Sequence, residues 1–192
     1  MTLLDAARAP SNEELEQIRA LNRLFLGFLA PRARAGEDCL GLPEAARPRL
    51  AAATDEQLDD VAQFPRALFA LTIDRDPPAG GFMAPPADGA RYAVDITVLL
   101  CAWSFSRHNV CQARFLLGLD TRSIQRLRAL QLAELAQYAR LPRLLSCAFA
   151  DNGWIWTELL ATRHAEDRRR LALIALQPHA PAAPVRRRGR PY

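Results

Sequence analysis

The sequence predicts an all-α protein, and three observations support this class. Apolar residues recur at three- and four-residue steps over most of the chain, which places them on one face of a helix. Ser11 and Thr54 each stand three residues before Glu14 or Gln57, the spacing of a capping box at a helix start. Half of the residues are apolar, enough for a core in a chain of this length. We expect at most two very short extended pieces.

One segment of the sequence is repeated within the chain. Residues 40–74 align without a gap with residues 117–151, and 12 of the 35 positions are identical. The shared positions include Gly41 with Gly118 and Pro65 with Pro142, which mark breaks in the backbone pattern. We therefore predict a tandem duplication: a first repeat at 1–74, a Pro/Gly-rich linker at 75–91, a second repeat with an extra C-terminal helix at 92–176, and a disordered basic tail at 177–192.

The first repeat should begin with a long helix. The capping box at Ser11 opens an apolar stripe that Pro31 interrupts, because proline lacks the N–H that a helix interior needs. A short helix should then reach Leu40, with Gly41 as a left-handed stop.

Two more helices are expected in the first repeat. Pro43 suits the first turn of one of them, which Pro48 should shorten or kink. Thr54 caps the other, and Pro65 ends it. Residues 67–73 are apolar and slightly β-like, so they predict a short extended segment.

The pattern restarts after the linker. A second long apolar helix carries Val94 and, beyond a polar break, Val110. Asp120 is the expected N-cap of the next helix, and a third segment follows around Leu135. Residues 155–176 predict one or two further helices, and three prolines then end the regular structure.

The second copy also carries a series of motifs in a fixed order. Residues 99–102 read LLCA, residues 113–119 read ARFLLGL, residues 127–139 hold closely spaced leucines, and residues 144–149 read LLSCAF. This order resembles the FlhD family of flagellar transcriptional regulators over residues 96–160, and more weakly over 21–74 through the repeat. Members of that family are single copies that homodimerise, bind FlhC, and activate flagellar promoters together with RNA polymerase.

The resemblance implies that two joined copies form either a pseudo-dimer or a double-length protomer. Packing two apolar helices together would remove more surface from water than one small unit can. The predicted seam, which is also the candidate inter-repeat or dimer interface, consists of Leu24, Phe25 and Phe28 facing Cys101, Ala102, Trp103 and Phe105. The alternative is that each stripe fills only the core of its own copy.

Positive charge is concentrated in the second part of the chain. Residues 1–76 carry 9 arginines against 13 acidic residues, whereas residues 77–192 carry 16 against 8, so the second part would be drawn to a polyanion. Three groups are candidates for DNA contact: the tail with Arg186, Arg187, Arg188, Gly189 and Arg190, the run Arg168, Arg169 and Arg170, and the pair Arg122 and Arg126.

These three groups have different chemistry. The tail contains an Arg-Gly-Arg-Pro core that resembles an AT-hook, in which glycine lets the backbone approach a narrow minor groove; a basic solubilising end is the alternative. The run at 168–170 could touch phosphates or be a solvated helix face balanced by Glu166 and Asp167. Arg122 and Arg126 share a face of a helix–turn–helix-like pair, but few side chains there could read bases.

The sequence offers no catalytic residue, cofactor or metal site that we would assign. The three histidines are far apart, and Cys39, Cys101, Cys111 and Cys147 form no CxxC pair, so buried free thiols are expected. No apolar run is long enough for a membrane span, and we expect a cytoplasmic protein.

We therefore expect a FlhD-like transcription regulator that docks an FlhC-like DNA-binding subunit or RNA polymerase and adds basic contacts to double-stranded DNA, with homo-oligomers as a further option. The competing hypothesis is a helical adaptor or scaffold in a secretion or motility system that does not bind DNA.

Overall fold

The expected helical class is confirmed. The computed structural model describes residues 9–74 and 88–162 together with 167, 170 and 171. Within these residues the chain forms eight α-helices, two three-residue strands and two short 3-10 turns. The helices are α1 (Asn12–Ala35), α2 (Arg47–Ala52), α3 (Asp55–Ala62), α4 (Gly89–His108), α5 (Val110–Leu117), α6 (Thr121–Ala129), α7 (Leu132–Tyr138) and α8 (Gly153–Ala161). The strands are β1 (Phe69–Leu71) and β2 (Leu145–Cys147).

Helix α1 begins as the sequence predicts and ends differently. The side chain of Ser11 accepts from the Glu14 amide, and the Glu14 carboxylate accepts from the Ser11 amide at 2.7 Å. The helix continues through Pro31, which we expected to interrupt it, and stops at Gly36 with φ 70°. The prediction of a separate short helix to Leu40 was therefore wrong.

Contacts from other parts of the chain hold the turn after Pro31. Arg34 donates to the carbonyls of Ala51 at 2.9 Å and Ala53 at 3.1 Å. Arg32 donates to Asp88 at 2.9 Å. These bonds offset the one helical hydrogen bond that proline removes. Gly41 is left-handed as expected, with φ 78°, but it lies in a turn after Leu40 (φ 56°) and ends no helix.

Helix α4 begins inside the segment predicted as linker. Asp88 caps it by accepting from the Arg91 amide at 2.9 Å, so the helix starts at Gly89 rather than after residue 91. The expected polar break is a true helix end. Asn109 leaves helical geometry (φ −147°), and its side chain caps α5 by accepting from the Gln112 amide.

Helix α6 follows the predicted signals. Gly118 has φ 67°, and Asp120 accepts from the Ser123 amide at 2.6 Å. Helix α7 comes after two connecting residues. Thr54 and Gln57 form the expected capping box of α3, and α3 ends at Ala62, before Pro65.

The two strands come from distant parts of the chain and form one antiparallel ladder. Phe69 pairs with Cys147, Ala70 with Ser146 and Leu71 with Leu145. The β1 strand confirms the short extended segment expected within 67–73. Two more bonds lengthen the pairing, since the Thr72 amide donates to Leu144 at 2.8 Å and the Ala148 amide donates to Leu68 at 2.9 Å.

Buried apolar side chains from both parts of the chain form a single core. Helices α1 and α4 run antiparallel across it, because Glu14 near the start of α1 bonds Asn109 after α4, and Arg32 near the end of α1 bonds Asp88 before α4. Among the described helices, none combines the length and apolarity that a membrane span needs.

A buried polar side chain organises the first half. Asn22 of α1 is fully buried. Its amide nitrogen donates to the carbonyls of Phe64 at 3.1 Å and Arg66 at 2.9 Å, and its oxygen accepts from the Leu68 amide at 2.9 Å. Asn22 therefore fixes the path of the chain from α3 into β1.

Candidate nucleic-acid and partner interface

Helix α6 presents arginines on the side away from the core. Ile124 and Leu127 are buried, whereas Arg122 and Arg128 are exposed. Ile124 and Leu127 share the buried face because positions three apart lie on one side of a helix. Its cap, Asp120, is held ionised: hydrogen bonds from Ser123 are the main cause of a lowered pKa for this carboxyl.

The structure gives Arg122 and Arg126 different surroundings. Arg126 donates from Nη1 to the Asp74 carbonyl at 3.1 Å and from Nε to the Tyr138 hydroxyl at 3.5 Å. It therefore ties the end of the first half to α6 and α7. Both arginines line a cavity of about 230 Å³ with Thr72, but Arg122 is the more exposed of the two.

Helix α7 offers few groups for reading bases. Its exposed residues are Leu132, Ala133, Glu134 and Gln137. The Glu134 carboxylate accepts from the Gln131 amide at 2.6 Å, so it is occupied in capping the start of the helix. Base-edge recognition needs several donors and acceptors on one face, and α7 does not present them.

The other predicted DNA contacts lie mostly outside the described residues. Arg168, Arg169 and the tail residues 186–190 belong there. Arg170 is exposed, and its Nη1 atom lies 3.8 Å from the Asp167 carboxylate. An exposed pair at this distance holds the arginine weakly.

The predicted seam residues of α1 have mixed surroundings. Phe25 is fully buried and packs edge-on against Phe69, with 5.6 Å between ring centroids. Phe28 is half-buried beneath the Arg32 guanidinium, 4.8 Å from its ring centre. Leu24 is 38% exposed and lies at the surface.

The seam residues of α4 are more uniform. Ala102 and Phe105 are buried, and Cys101 is half-buried. Trp103 is half-buried and donates from its indole nitrogen to the Leu130 carbonyl at 3.0 Å. Because the core is continuous, these residues fill it together with those of α1, and a seam between repeats stays a prediction.

A cavity of about 940 Å³ lies between the turn at 38–41, the start of α4 and residues 139–146. Arg91 binds both carboxylate oxygens of Asp95, at 2.9 and 2.8 Å, and also donates to the Leu145 carbonyl at 3.2 Å. Burial raises the pKa of Asp95 to about 6 despite the Arg91 charge. Sequence reasoning missed this pair, although its i, i+4 spacing on a helix is a signal for an ion pair.

Arg66 lines a smaller cavity of about 270 Å³. The Arg66 guanidinium lies against Gly118 and 5.6 Å from the Phe149 ring centre. Burial lowers the pKa of Arg66. No sequence pattern indicated this contact, which joins residues far apart in the chain.

The cysteines are free thiols, as expected; Cys39 and Cys147 are buried, and Cys101 and Cys111 are half-buried. Burial raises the pKa of Cys147, so its thiol stays protonated. In the described parts of the chain, no three His, Cys, Asp or Glu side chains are grouped in a way that could hold a metal ion.

The fold and these surfaces define a mainly helical protein with one core and an arginine-bearing outer helix. No protein-family model, curated protein or solved structure matches the chain.

Proposed function

We propose that the protein is a FlhD-like regulator of transcription. It would dock a DNA-binding subunit or RNA polymerase through its helical body and add arginine contacts to DNA phosphates. The observation that carries the proposal is the exposure of both Arg122 and Arg128 on α6, while Ile124 and Leu127 of the same helix are buried. Exposed cationic side chains suit phosphate contacts that position a protein without reading sequence.

The proposal includes two copies of one unit paired as a pseudo-dimer. The element pattern supports it: the 3-10 turn and α2 together cover residues 44–52, and α6 covers the aligned residues 121–129. Gly41 and Gly118, aligned in the repeat, both have positive φ.

The strand register supports the same arrangement. In the repeat alignment, Phe69 corresponds to Ser146 and Ala70 to Cys147. The ladder pairs Phe69 with Cys147 and Ala70 with Ser146. Each position thus pairs with the counterpart of the other, which is what a two-fold relation between two copies produces.

Salt-dependent binding to DNA tests the proposal. The probe is a labelled A·T-rich duplex of about 20 base pairs, read by fluorescence anisotropy over a series of salt concentrations. Replacing Arg122 and Arg128 by glutamine should weaken binding, and the slope of log K against log salt should fall by about 0.9 for each phosphate that the variant no longer neutralises. Deleting residues 178–192 should flatten the slope further.

Two arginines of the first half provide the matched control. Arg19→Gln with Arg49→Gln removes the same charge from the more acidic part of the chain and should change the slope little. If the wild-type protein binds the duplex no better than background, the DNA contacts are refuted.

An adaptor that does not bind DNA is the second candidate. It is favoured by the hydrogen bond from Arg126 to the Asp74 carbonyl, which occupies this side chain within the chain, and by the scarcity of base-reading groups on α7. Under this hypothesis the tail deletion leaves duplex binding at background, while binding to a protein partner persists.

A further inference from the structure

The outer surface where α4 meets α6 and α7 carries exposed apolar side chains. Leu100 is 37% exposed and Leu132 is 62% exposed. Trp103 follows Leu100 by one turn on the same face of α4, and its indole bonds Leu130, two residues before Leu132. We call Leu100, Trp103 and Leu132 the second-half patch.

The corresponding surface of the first half is covered by ion pairs. In the repeat alignment, Leu100 corresponds to Arg23 and Leu132 to Asp55. Arg23 donates to Asp55 at 2.9 Å and also to Asp59, whose counterpart is the uncharged Ala136. The pairing explains why the pKa of Arg23 is raised, with the Asp59 hydrogen bond as the main cause. The outer surface of this helix pair therefore carries paired charges in the first half and apolar side chains in the second.

The surroundings of the patch are cationic. The Arg107 guanidinium lies over the Trp103 ring, 4.7 Å from its centre. Arg128 is exposed on the last turn of α6, two residues before Leu130. Neither arginine has an ion pair with another described residue. The nearest acidic residue in sequence, Glu134, is used to cap α7.

We propose that the second-half patch docks an amphipathic helix of a partner protein whose apolar side covers Leu100, Trp103 and Leu132 and whose acidic side chains face Arg107. A half-buried tryptophan flanked by exposed leucines and arginines has the composition of an interface anchor. Acidic side chains on the partner would pair with Arg107 and steer the encounter. This inference specifies the docking surface of the proposed regulator and rests on that docking role.

The test transfers the chemistry of the first half onto the second. The variant Leu100→Arg with Leu132→Asp and Ala136→Asp should rebuild the Arg23 arrangement on the patch. Because the changed positions are exposed or half-exposed, its melting temperature should stay near that of the wild type. The probe is a labelled helical peptide of about 15 residues with leucines on one face and glutamates on the rest, compared with the same peptide carrying lysines.

The wild-type protein should bind the glutamate peptide at least about tenfold more tightly than the lysine peptide, and the variant should bind the glutamate peptide at least about tenfold more weakly than the wild type does. The matched control, Arg23→Gln with Asp55→Asn, opens the charged arrangement of the first half and should leave peptide binding unchanged. Equal binding of the two peptides, or equal binding by wild type and variant, would overturn the proposal.

Two further measurements separate this inference from others. If sedimentation shows a wild-type dimer that the variant abolishes, a second copy of the chain covers the patch, and the partner helix is refuted. Duplex binding should change much less in this variant than in Arg122→Gln with Arg128→Gln, because both arginines are kept. If neither protein binds DNA but the wild type binds the glutamate peptide, the DNA contacts are refuted and the docking role of the patch is supported.

Discussion

The helix pair α1–α3 and the helix pair α4–α7 differ in how their outer surfaces are closed. The first uses ion pairs from Arg23 to Asp55 and Asp59, whereas the second uses an indole hydrogen bond from Trp103 and leaves Leu132 exposed. Exposed ion pairs contribute little to stability, so either chemistry is compatible with the same helix packing. The packing of the helices therefore leaves the chemistry of this outer surface free to differ between the two halves.

The buried sides of α1 and α4 differ as well. Asn22 holds the chain between α3 and β1 by hydrogen bonds to Phe64, Arg66 and Leu68. Helix α4 has Leu99 at the aligned position and reaches its strand through Arg91, which donates to Leu145. The first half therefore depends on one amide, and the second on an ion pair at the edge of a cavity.

The largest expected effect on stability comes from removing the hydrogen bonds of Asn22. Asn22→Leu keeps a side chain of similar size but leaves several buried backbone groups without partners, so the free energy of unfolding should fall by about 3 kcal/mol or more. Urea denaturation followed by circular dichroism measures it. A decrease below about 1 kcal/mol would show that water or a local shift replaces the amide.

The second prediction concerns Asp95, whose aligned position in α1 is the apolar Ile18. Burial raises the folded pKa of Asp95 to about 6 from its ordinary 3.8, so the native state binds the proton more tightly than the unfolded chain. The contribution of Asp95 to stability should therefore decrease as pH rises from about 4 to about 6, by about 2 kcal/mol.

The difference in unfolding free energy between wild type and Asp95→Asn isolates this contribution, because the other carboxyl groups titrate equally in both proteins. Wild type should lose stability relative to the variant as pH rises through this window. A difference that stays constant would mean that the Arg91 charge cancels the effect of burial on the pKa of Asp95, and a difference that grows in favour of wild type would mean that the charge outweighs burial.

The third prediction sharpens the contrast between the outer surfaces. Trp103→Phe removes the donor to the Leu130 carbonyl and should cost about 1–2 kcal/mol of unfolding free energy. The control Trp154→Phe changes a 47% exposed ring and should cost less than about 0.5 kcal/mol. Equal losses for the two variants would indicate that the indole bond contributes nothing.

The smallest effect compares the two aligned glycines. Gly41→Ala and Gly118→Ala both place a side chain on left-handed backbone, which should cost each about 1 kcal/mol. A Cβ at Gly118 would lie 2.7 Å from the Arg66 guanidinium, whereas a Cβ at Gly41 meets nothing within 4 Å. Gly118→Ala should therefore melt a few degrees lower than Gly41→Ala in a calorimetric scan. The reverse order would contradict the packing of Arg66.

Local signals made much of the helical framework predictable from the sequence. Ser11, Thr54 and Asp120 cap the helices that they were expected to cap, because a cap depends on residues only three positions away. The prediction that Pro31 interrupts the helix was wrong, because Arg32 and Arg34 hold the turn after it through contacts that no local pattern encodes.

The candidate interface was only partly predictable. Helical spacing placed Arg122 and Arg126 on one face, but whether an arginine faces solvent or bonds the chain depends on distant residues, and Asp74 takes Arg126. The exposure of Leu132 could not be predicted from the sequence either, because a leucine at a helical apolar position normally indicates a core residue. Only the three-dimensional arrangement leaves it 62% exposed.

The pairing of β1 with β2 has a consequence for synthesis on the ribosome. The strand at Phe69–Leu71 finds its partner only when residues 145–147 have been made. At typical elongation rates the nascent first half waits for several seconds with an unpaired strand edge. Such an edge invites association with other chains, so the yield of folded protein should depend on chaperone capacity and on translation speed across the intervening segment.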